Sequence, residues 1–364
     1  MNLHRMLARR AEDGKPVGVG LIGAGKFGTM FLTQARLTTG LKVVAIADLA
    51  PDRALASCGR AGWPDGQAEI GDISAAALSG PTVIGDNVDA LMAHPLIEVV
   101  IDATGHPHAG IAHSLQAIEN GKHIVMVNVE ADVVAGPLLA RKAEQAGVVY
   151  SMAWGDQPAL ISEHVDWARA CGFKVVCAGK GTRYLPEYHQ LTPDSVWDVL
   201  KQYLVMDENS DINPKMFNSF LDGTKSGIEM TAVCNATGLH PQTDGLAFPP
   251  ASRFELPTVC RPNEAGGTLS REGTTECVSS MFRDGTDVPH NLVMGTYVVI
   301  EGETEYAREC FRQYHMLQDE TGTYAALYRP THMIGLELGL SVASAAWRGE
   351  PTGSPICFNS DVVA

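Results

Sequence analysis

The stretch "SFLDGTKSGIEMT" (219–231) places an acid, a base and a second acid at Asp222, Lys225 and Glu229. At about 100° of rotation per residue, offsets of 0, 3 and 7 set all three on one narrow stripe, and the spacing predicts a single helix through the segment. Phe217, Phe220 and Ile228 form an apolar arc beside the stripe. Charges bordered by apolar residues are costly to bury unless they are paired or used. An ammonium steadied by carboxylates can give a proton to an oxygen that is gaining charge, so Lys225 is the candidate catalytic residue, with Asp222 and Glu229 holding it. A buried ion-pair network that only fixes the helix is the competing reading.

The elements that must position such groups are clearest in the first half. From residue 17 the chain reads "VGVGLIGAGKFGTMFLTQAR": an apolar strand, a Gly23-x-Gly25-x-x-Gly28 turn enclosing Lys26 and Phe27, then a helical pattern. A second strand, "KVVAIAD", ends in Asp48, twenty residues beyond Gly28. In that context Gly23 permits a tight turn, Gly25 lets backbone N–H groups approach a pyrophosphate, and Gly28 lets helix and strand pack closely. Gly23, Gly25, Lys26, Phe27 and Gly28 are therefore expected to hold a dinucleotide. Asp48 can accept from a ribose diol, which favours NAD, whereas Arg53 can meet a 2′-phosphate, so these residues leave NAD and NADP both open.

Strand–helix alternation continues through 97–105, 122–132 and 147–158, which predicts a doubly wound parallel α/β sheet of the Rossmann type. Its strand ends carry Asp102, Thr104, Gly105, Asn128, Glu130 and Asp156, at the edge where open α/β sheets take ligands. Thr104, Gly105 and Asn128 are expected beside the cofactor, and Glu130 with Asn128 in a crevice between domains. The histidines of "GHPHAGIAH", His106, His108 and His113, read as structural or substrate-facing groups in preference to metal ligands.

The chain has 364 residues, and a soft prior of roughly 100–200 residues per domain gives two domains. A formal charge of −15 argues against a nucleic-acid partner, which needs a broad basic surface. No apolar run is long enough for a membrane span, and "MNLHRMLARRAEDGKP" reads as a surface helix without a hydrophobic leader core. The eight cysteines show no paired metal spacing and suggest a reduced, cytoplasmic protein.

Beyond residue 156 the alternation stops. Strand-like segments at 173–186, 274–283 and 294–300, with helical stretches between them, predict an α+β domain. The expected division is a dinucleotide-binding domain over 1–156, a substrate and catalytic domain over 157–330, and a C-terminal helix with its tail over 331–364 packing back between them. Through "VGLIGAGKFG", "IDATG" and "GKHIVMVN" the chain resembles the homoserine dehydrogenase superfamily. Through "HIVMVNVEADVVAGPLLA", "AGKGTRYLPEYH", "NPKMFNSFLDGTKS" and "YRPTHMIGLE" it is most similar to that superfamily's reductoisomerase-like branch, the DRL type.

The resemblance implies NADPH-dependent conversion of 1-deoxy-D-xylulose 5-phosphate to 2-C-methyl-D-erythritol 4-phosphate, a step of isoprenoid synthesis, with NADH left open as cofactor. It also implies a homodimer or higher homo-oligomer, and Mg²⁺ or Mn²⁺ as a further cofactor with Glu130, Asp222 and Glu229 as candidate ligands. For a substrate phosphate, Lys180 in its glycine frame, Thr182 and Arg329 are the candidate donors, Arg183 a weaker one, and His332 a candidate proton shuttle. The alternative is a homoserine dehydrogenase-like enzyme acting on a small hydroxy-carbonyl compound. Homoserine dehydrogenases usually carry lysine after the strand-end asparagine, where this chain has Val129 and then Glu130. Their aspartate and lysine on one helix are usually four apart, and here Asp222 and Lys225 are three apart.

Overall fold

A computed structural model describes residues 2–202, 213–358 and 362 of the chain. These form two compact units. Unit 1 runs to Leu160 and resumes over Met333–Phe358, and unit 2 holds Ile161–His332, with the Val362 N–H donating to Thr231 Oγ1 at 3.0 Å. The boundary falls inside helix Gln157–Ala170.

Unit 1 is built on seven strands: β1 (Val17–Ile22), β2 (Leu41–Ala47), β3 (Ala68–Ile70), β4 (Thr82–Gly85), β5 (Val99–Asp102), β6 (His123–Met126) and β7 (Tyr150–Met152). They pair in parallel in the order β3-β4-β2-β1-β5-β6-β7. Successive strand residues sort to opposite faces, as the period of two requires. Val43, Val99 and Ile101 enter one core with Phe31 and Leu32, whereas Val44, Val100 and Ile124 enter the other with Leu91 and Met92. Burial on both faces explains why these strands read as continuous apolar runs. The short β3 and β4, outside the sequence reading, extend one edge of the sheet.

The segment 122–132 changes structure midway: the strand ends at Met126, and helix Val129–Gln145 begins at the Asn128 cap, whose side chain accepts from Ala131 N at 3.1 Å. The N-terminal segment forms helix Leu3–Glu12, with Leu3 and Leu7 buried. It packs on helix Gly339–Arg348. That apolar C-terminal helix, expected to return between the domains, belongs to unit 1, where Leu338, Val342 and Ala343 join the core of β1. Among the described residues no helix is long and apolar enough to cross a membrane.

Unit 2 carries β8 (Lys174–Thr182), β9 (Thr274–Ser279), β10 (Thr296–Glu301), β11 (Leu317–Gln318) and β12 (Tyr324–Arg329) in the order β11-β12-β10-β8-β9. Only β8 and β9 run parallel. One face, through Ala178, Val298 and Ile300, receives Ile161 and Val165 of helix Gln157–Ala170 and Met230 and Val233 of helix Thr224–Thr237. The single helix expected through 219–231 is two: Pro214–Leu221 and Thr224–Thr237, broken at Asp222 and Gly223. Gly223 has φ +89°, a backbone that only glycine adopts without strain, and helical spacing therefore does not carry from Asp222 to Lys225.

Asp132, on the first helical turns after Asn128, is 2% exposed. Tyr150 donates its hydroxyl to Asp132 Oδ1 at 2.9 Å, and Oδ2 is buried without a partner. Burial pushes this carboxyl from 3.8 to about 7, with the Tyr150 hydrogen bond opposing the rise and Asp156 adding to it. The folded value lies above the ordinary one, so the contribution is fully present below pH 3.8 and is lost as pH climbs through about 7. Asp132→Asn keeps the acceptor for Tyr150 and cannot ionise. Its melting temperature at about pH 8 is expected to exceed the unsubstituted protein's by several degrees, at roughly 2–4 °C per kcal/mol, with the gap closing near about pH 4. A gap that does not change with pH would assign the burial of Asp132 no such role.

Candidate functional site

In unit 1 the order in which strands are added reverses at β1, which has β2 on one side and β5 on the other. The loops after β1 and β5 meet there. Gly23 turns at φ +89°, and a Cβ on it would lie 3.0 Å from the Ala103 carbonyl oxygen of the β5 loop. A Cβ on Gly28 would collide with the Gly23 carbonyl oxygen, whereas one on Gly25 would meet nothing within 4 Å. Two of the glycines thus serve the protein's own packing, and the third opens onto solvent at the N-terminus of helix Lys26–Ala35, where backbone N–H groups and the helix dipole favour an anion. This cradle fits a dinucleotide pyrophosphate. Lys26 is exposed beside it, and Phe27 packs inward on the core.

Asp48, at the end of β2, accepts from Ala24 N at 2.8 Å and Ala50 N at 2.9 Å, which ties its carboxylate to the glycine loop. Arg53 is exposed on the first turn of helix Pro51–Arg60. After β5, Asp102 accepts from the Thr104 hydroxyl at 2.9 Å through Oδ1 and faces His113 Nδ1 at 2.6 Å through Oδ2. Asn128, 2% exposed, donates to the His106 carbonyl at 2.9 Å while capping its own helix. Gly105, at φ +66°, turns the exposed tip of this loop. His106 caps the next helix and touches the ring of His108. Glu130 is partly buried in the first turn of the helix that Asn128 caps.

The site of unit 2 is built on one row of its sheet. Lys180 of β8 lies opposite Thr296 of β10, which lies opposite Arg329 of β12. Directly opposed residues of antiparallel strands point to one face, here the face of helices Gln157–Ala170 and Thr224–Thr237. Lys180 reaches Glu229 of the second helix in an ion pair, and both side chains are more than nine-tenths buried. Burial alone would raise the Glu229 carboxyl. The charges of Lys180, Lys225 and His332 outweigh it and hold the group below its usual value. Lys225 sits one turn before Glu229, and the His332 ring nitrogen Nδ1 faces the Met294 carbonyl at 2.8 Å. Lys180, Lys225 and His332 are therefore each within electrostatic reach of Glu229.

Asp222 stands apart from that group in its bonding. It accepts from Asn218 at 2.8 Å and from Thr224 N at 2.9 Å, joining the two helices. The glycine frame of Lys180 also differs from expectation: a Cβ on Gly179 or Gly181 would collide with the carbonyl oxygen of Glu276 or Leu292, so these glycines admit neighbouring backbone in place of a phosphate. Thr182 is buried on the same side of β8 as Lys180, and Arg183 pairs with exposed Asp287 at 3.1 Å. Among the described residues no three His, Cys, Asp or Glu side chains gather to hold a metal ion. Two of the three carboxylates suggested for Mg²⁺ or Mn²⁺ do not fit that use, since Glu229 is held by Lys180 and Asp222 by the helix junction.

The sequence reading missed His164 and Thr296. His164 Nε2 lies 3.1 Å from Thr296 Oγ1, and burial together with the Arg329 charge lowers its pKa to about 4, so it is neutral at pH 7. Its neighbour Glu163 is pushed up by burial against the pull of Arg329, with Asp166 adding to the push. A signal was available: Ile161, His164, Val165 and Ala168 share one face of a helix at spacings of 3, 4 and 7, which sets a histidine within an apolar stripe.

The family model described as "Oxidoreductase DRL, catalytic domain" matches residues 155–338, and the one described as "Homoserine dehydrogenase, NAD binding domain" matches 18–152. A 1-deoxy-D-xylulose 5-phosphate reductoisomerase from Pseudomonas syringae pv. tomato is 33% identical over 79 residues, 21% of this chain and 20% of that protein. The chain thus matches about a fifth of the length of this curated relative. The solved homoserine dehydrogenase of Thiobacillus denitrificans has a TM-score of 0.54 at 15% identity, covering 96% of this chain and 79% of that one, a likeness of fold.

Lys180→Met would leave Glu229 buried without its counter-ion and is expected to cost about 3–5 kcal/mol in denaturant unfolding. Adding Glu229→Gln should restore most of that, because a neutral pair leaves no stranded charge. A single variant as stable as the parent would mean that the pair is hydrated in solution.

Proposed function

The chain belongs to the oxidoreductase DRL family and is an NAD(P)-dependent oxidoreductase, and we propose that it is an NADPH-dependent reductoisomerase acting on 1-deoxy-D-xylulose 5-phosphate. The observation that carries this reading is the convergence of charge in unit 2: Lys180, Lys225 and His332 act together on one buried carboxylate, Glu229, with Arg329 on the same row of the sheet. Such a site suits a phosphorylated ketose, whose rearrangement needs two neighbouring oxygens polarised and whose phosphate needs a cation. Arg329 lies two strands from Lys180, about 10 Å away at usual strand spacing. That leaves Arg329 as phosphate ligand, with Thr182 and His332 as neighbouring donors.

A nicotinamide, when bound, supplies the hydride. Gly25 and the first N–H groups of helix Lys26–Ala35 would hold its pyrophosphate in the turn that Gly23 and Gly28 shape, flanked by Lys26, Thr104, Gly105 and Asn128, while Asp48 and Arg53 would meet the adenosine ribose. In unit 2 Lys225 donates a proton to the substrate oxygen that gains negative charge on reduction. Glu229 stays ionised because Lys180 is its partner, and so stands as a fixed negative charge one helical turn from Lys225. Glu130 serves as the further acid–base group. The homoserine dehydrogenase alternative finds its support in the fold likeness and in the family model of the first domain.

Nicotinamide oxidation measured with 1-deoxy-D-xylulose 5-phosphate, and nicotinamide reduction measured with homoserine, each with and without Mg²⁺ or Mn²⁺, tests the proposal. Turnover is expected with the ketose phosphate, and turnover with homoserine alone would overturn it. Lys225→Met is expected to lower kcat ~100-fold or more with the melting temperature nearly kept. Near-normal kcat in a folded variant would return Lys225 to a structural role. Arg53→Ala should raise KM for NADPH about tenfold and leave KM for NADH unchanged, and equal effects on both would remove Arg53 from the 2′-phosphate.

A further inference from the structure

The strands of unit 1 are parallel, so all of them begin on one edge and end on the other. The glycine loop, Asp48 and Thr104 lie at the ending edge. A cavity of about 490 Å³ opens at the beginning edge, around the first residues of β2 and the approach to β4. β2 rises about 3.3 Å per residue over Leu41–Ala47, which puts this cavity roughly 20 Å from the dinucleotide cradle. Its volume is that of small-ligand sites, which run from about 300 to 1,000 Å³.

The lining has the chemistry of an anion site. Arg36 and Lys42 both contribute to the wall, and no carboxylate does. The Arg36 guanidinium donates to the Ala61 carbonyl at 3.3 Å and the Lys42 ammonium to the Gly80 carbonyl at 2.7 Å. Among the described residues neither is in an ion pair, in a chain of net charge −15 where acidic partners are abundant. Lys42 is half-buried, and burial lowers its pKa, the situation in which a counter-anion is most favourable. Beside these cations stand apolar walls: Leu41, Leu78 and the indole of Trp63, whose ring N–H is fixed on the Leu32 carbonyl at 2.9 Å.

We propose that this cavity is a second ligand site, separate from the dinucleotide cradle, for a small anion carrying a planar or apolar body: a phosphate monoester or carboxylate whose charge meets Arg36 and Lys42 and whose body lies along Trp63. Arg36 offers a fork for two oxygens of the anion, Lys42 a point charge, and Trp63 with Leu78 a surface for the apolar part.

The test is isothermal titration of the full chain with phenyl phosphate, after saturation with NADPH to fill the dinucleotide cradle, and with phenol as the uncharged control. The expected result is saturable binding of phenyl phosphate and none of phenol. Lys42→Met, which keeps the apolar stem, and Arg36→Ala should each weaken binding by about tenfold to a hundredfold, the loss of one hydrogen bond to a charged group. Arg329→Ala in unit 2 should leave it unchanged. Melting curves verify that each variant is folded. Absence of phenyl phosphate binding, affinity equal to the unsubstituted protein's in the Lys42 and Arg36 variants, or loss of all binding in the Arg329 variant would overturn the proposal.

Discussion

The second unit is organised around one constraint: a carboxylate, Glu229, is buried where a helix lies on a sheet. A charge in that position persists only if an opposite charge comes to it through the protein, because water cannot. Lys180 meets that demand from β8, and the close backbone packing at Gly179 and Gly181 is what brings the strand near enough to its neighbours to hold Lys180 in place. Register does the rest. Once Lys180 faces the helices, Thr296 and Arg329 must face them too, and His164 meets Thr296 from the helix above.

The first unit obeys a steric constraint of the same severity. Gly28 presses on the Gly23 carbonyl, and Gly23 presses on the loop after β5, so the two loops at the reversal of strand order are built as one piece. The Asp48 carboxylate ties the glycine loop to the end of β2, and Asn128 ties the β5 loop to the next helix. A ligand at Gly25 would thus meet a surface already shaped, with little left to order on binding.

Legibility in the sequence followed the range of the interactions involved. The glycine fingerprint and the strands β1, β2, β5 and β6 were readable because turn, strand and helix signals there lie within thirty residues of one another. β3, β4, β11 and β12 were not read; β3, β4 and β11 are only two to four residues long and lie at or next to sheet edges, where composition carries little pattern. Asp222 was assigned to the same helix as Lys225 because a period was counted across Gly223, a residue whose left-handed backbone stops the count. The partner of Glu229 could not be found by any local rule, since Lys180 lies 49 positions away. Likewise the glycines around Lys180 looked like room for a ligand, and only the positions of Glu276 and Leu292 show that backbone fills it.

The path of the chain through the two units has a kinetic consequence. Unit 1 is begun by the first 160 residues and completed only by Met333–Phe358, which carry Leu338, Val342 and Ala343 into its core. During synthesis at about 5–20 residues per second, the sheet of unit 1 emerges roughly ten to forty seconds before the helix that covers one of its faces. The unit begun first therefore waits for its covering helix, and its uncovered Val19, Leu21 and Val125 surface is the part of the nascent chain that a chaperone would find.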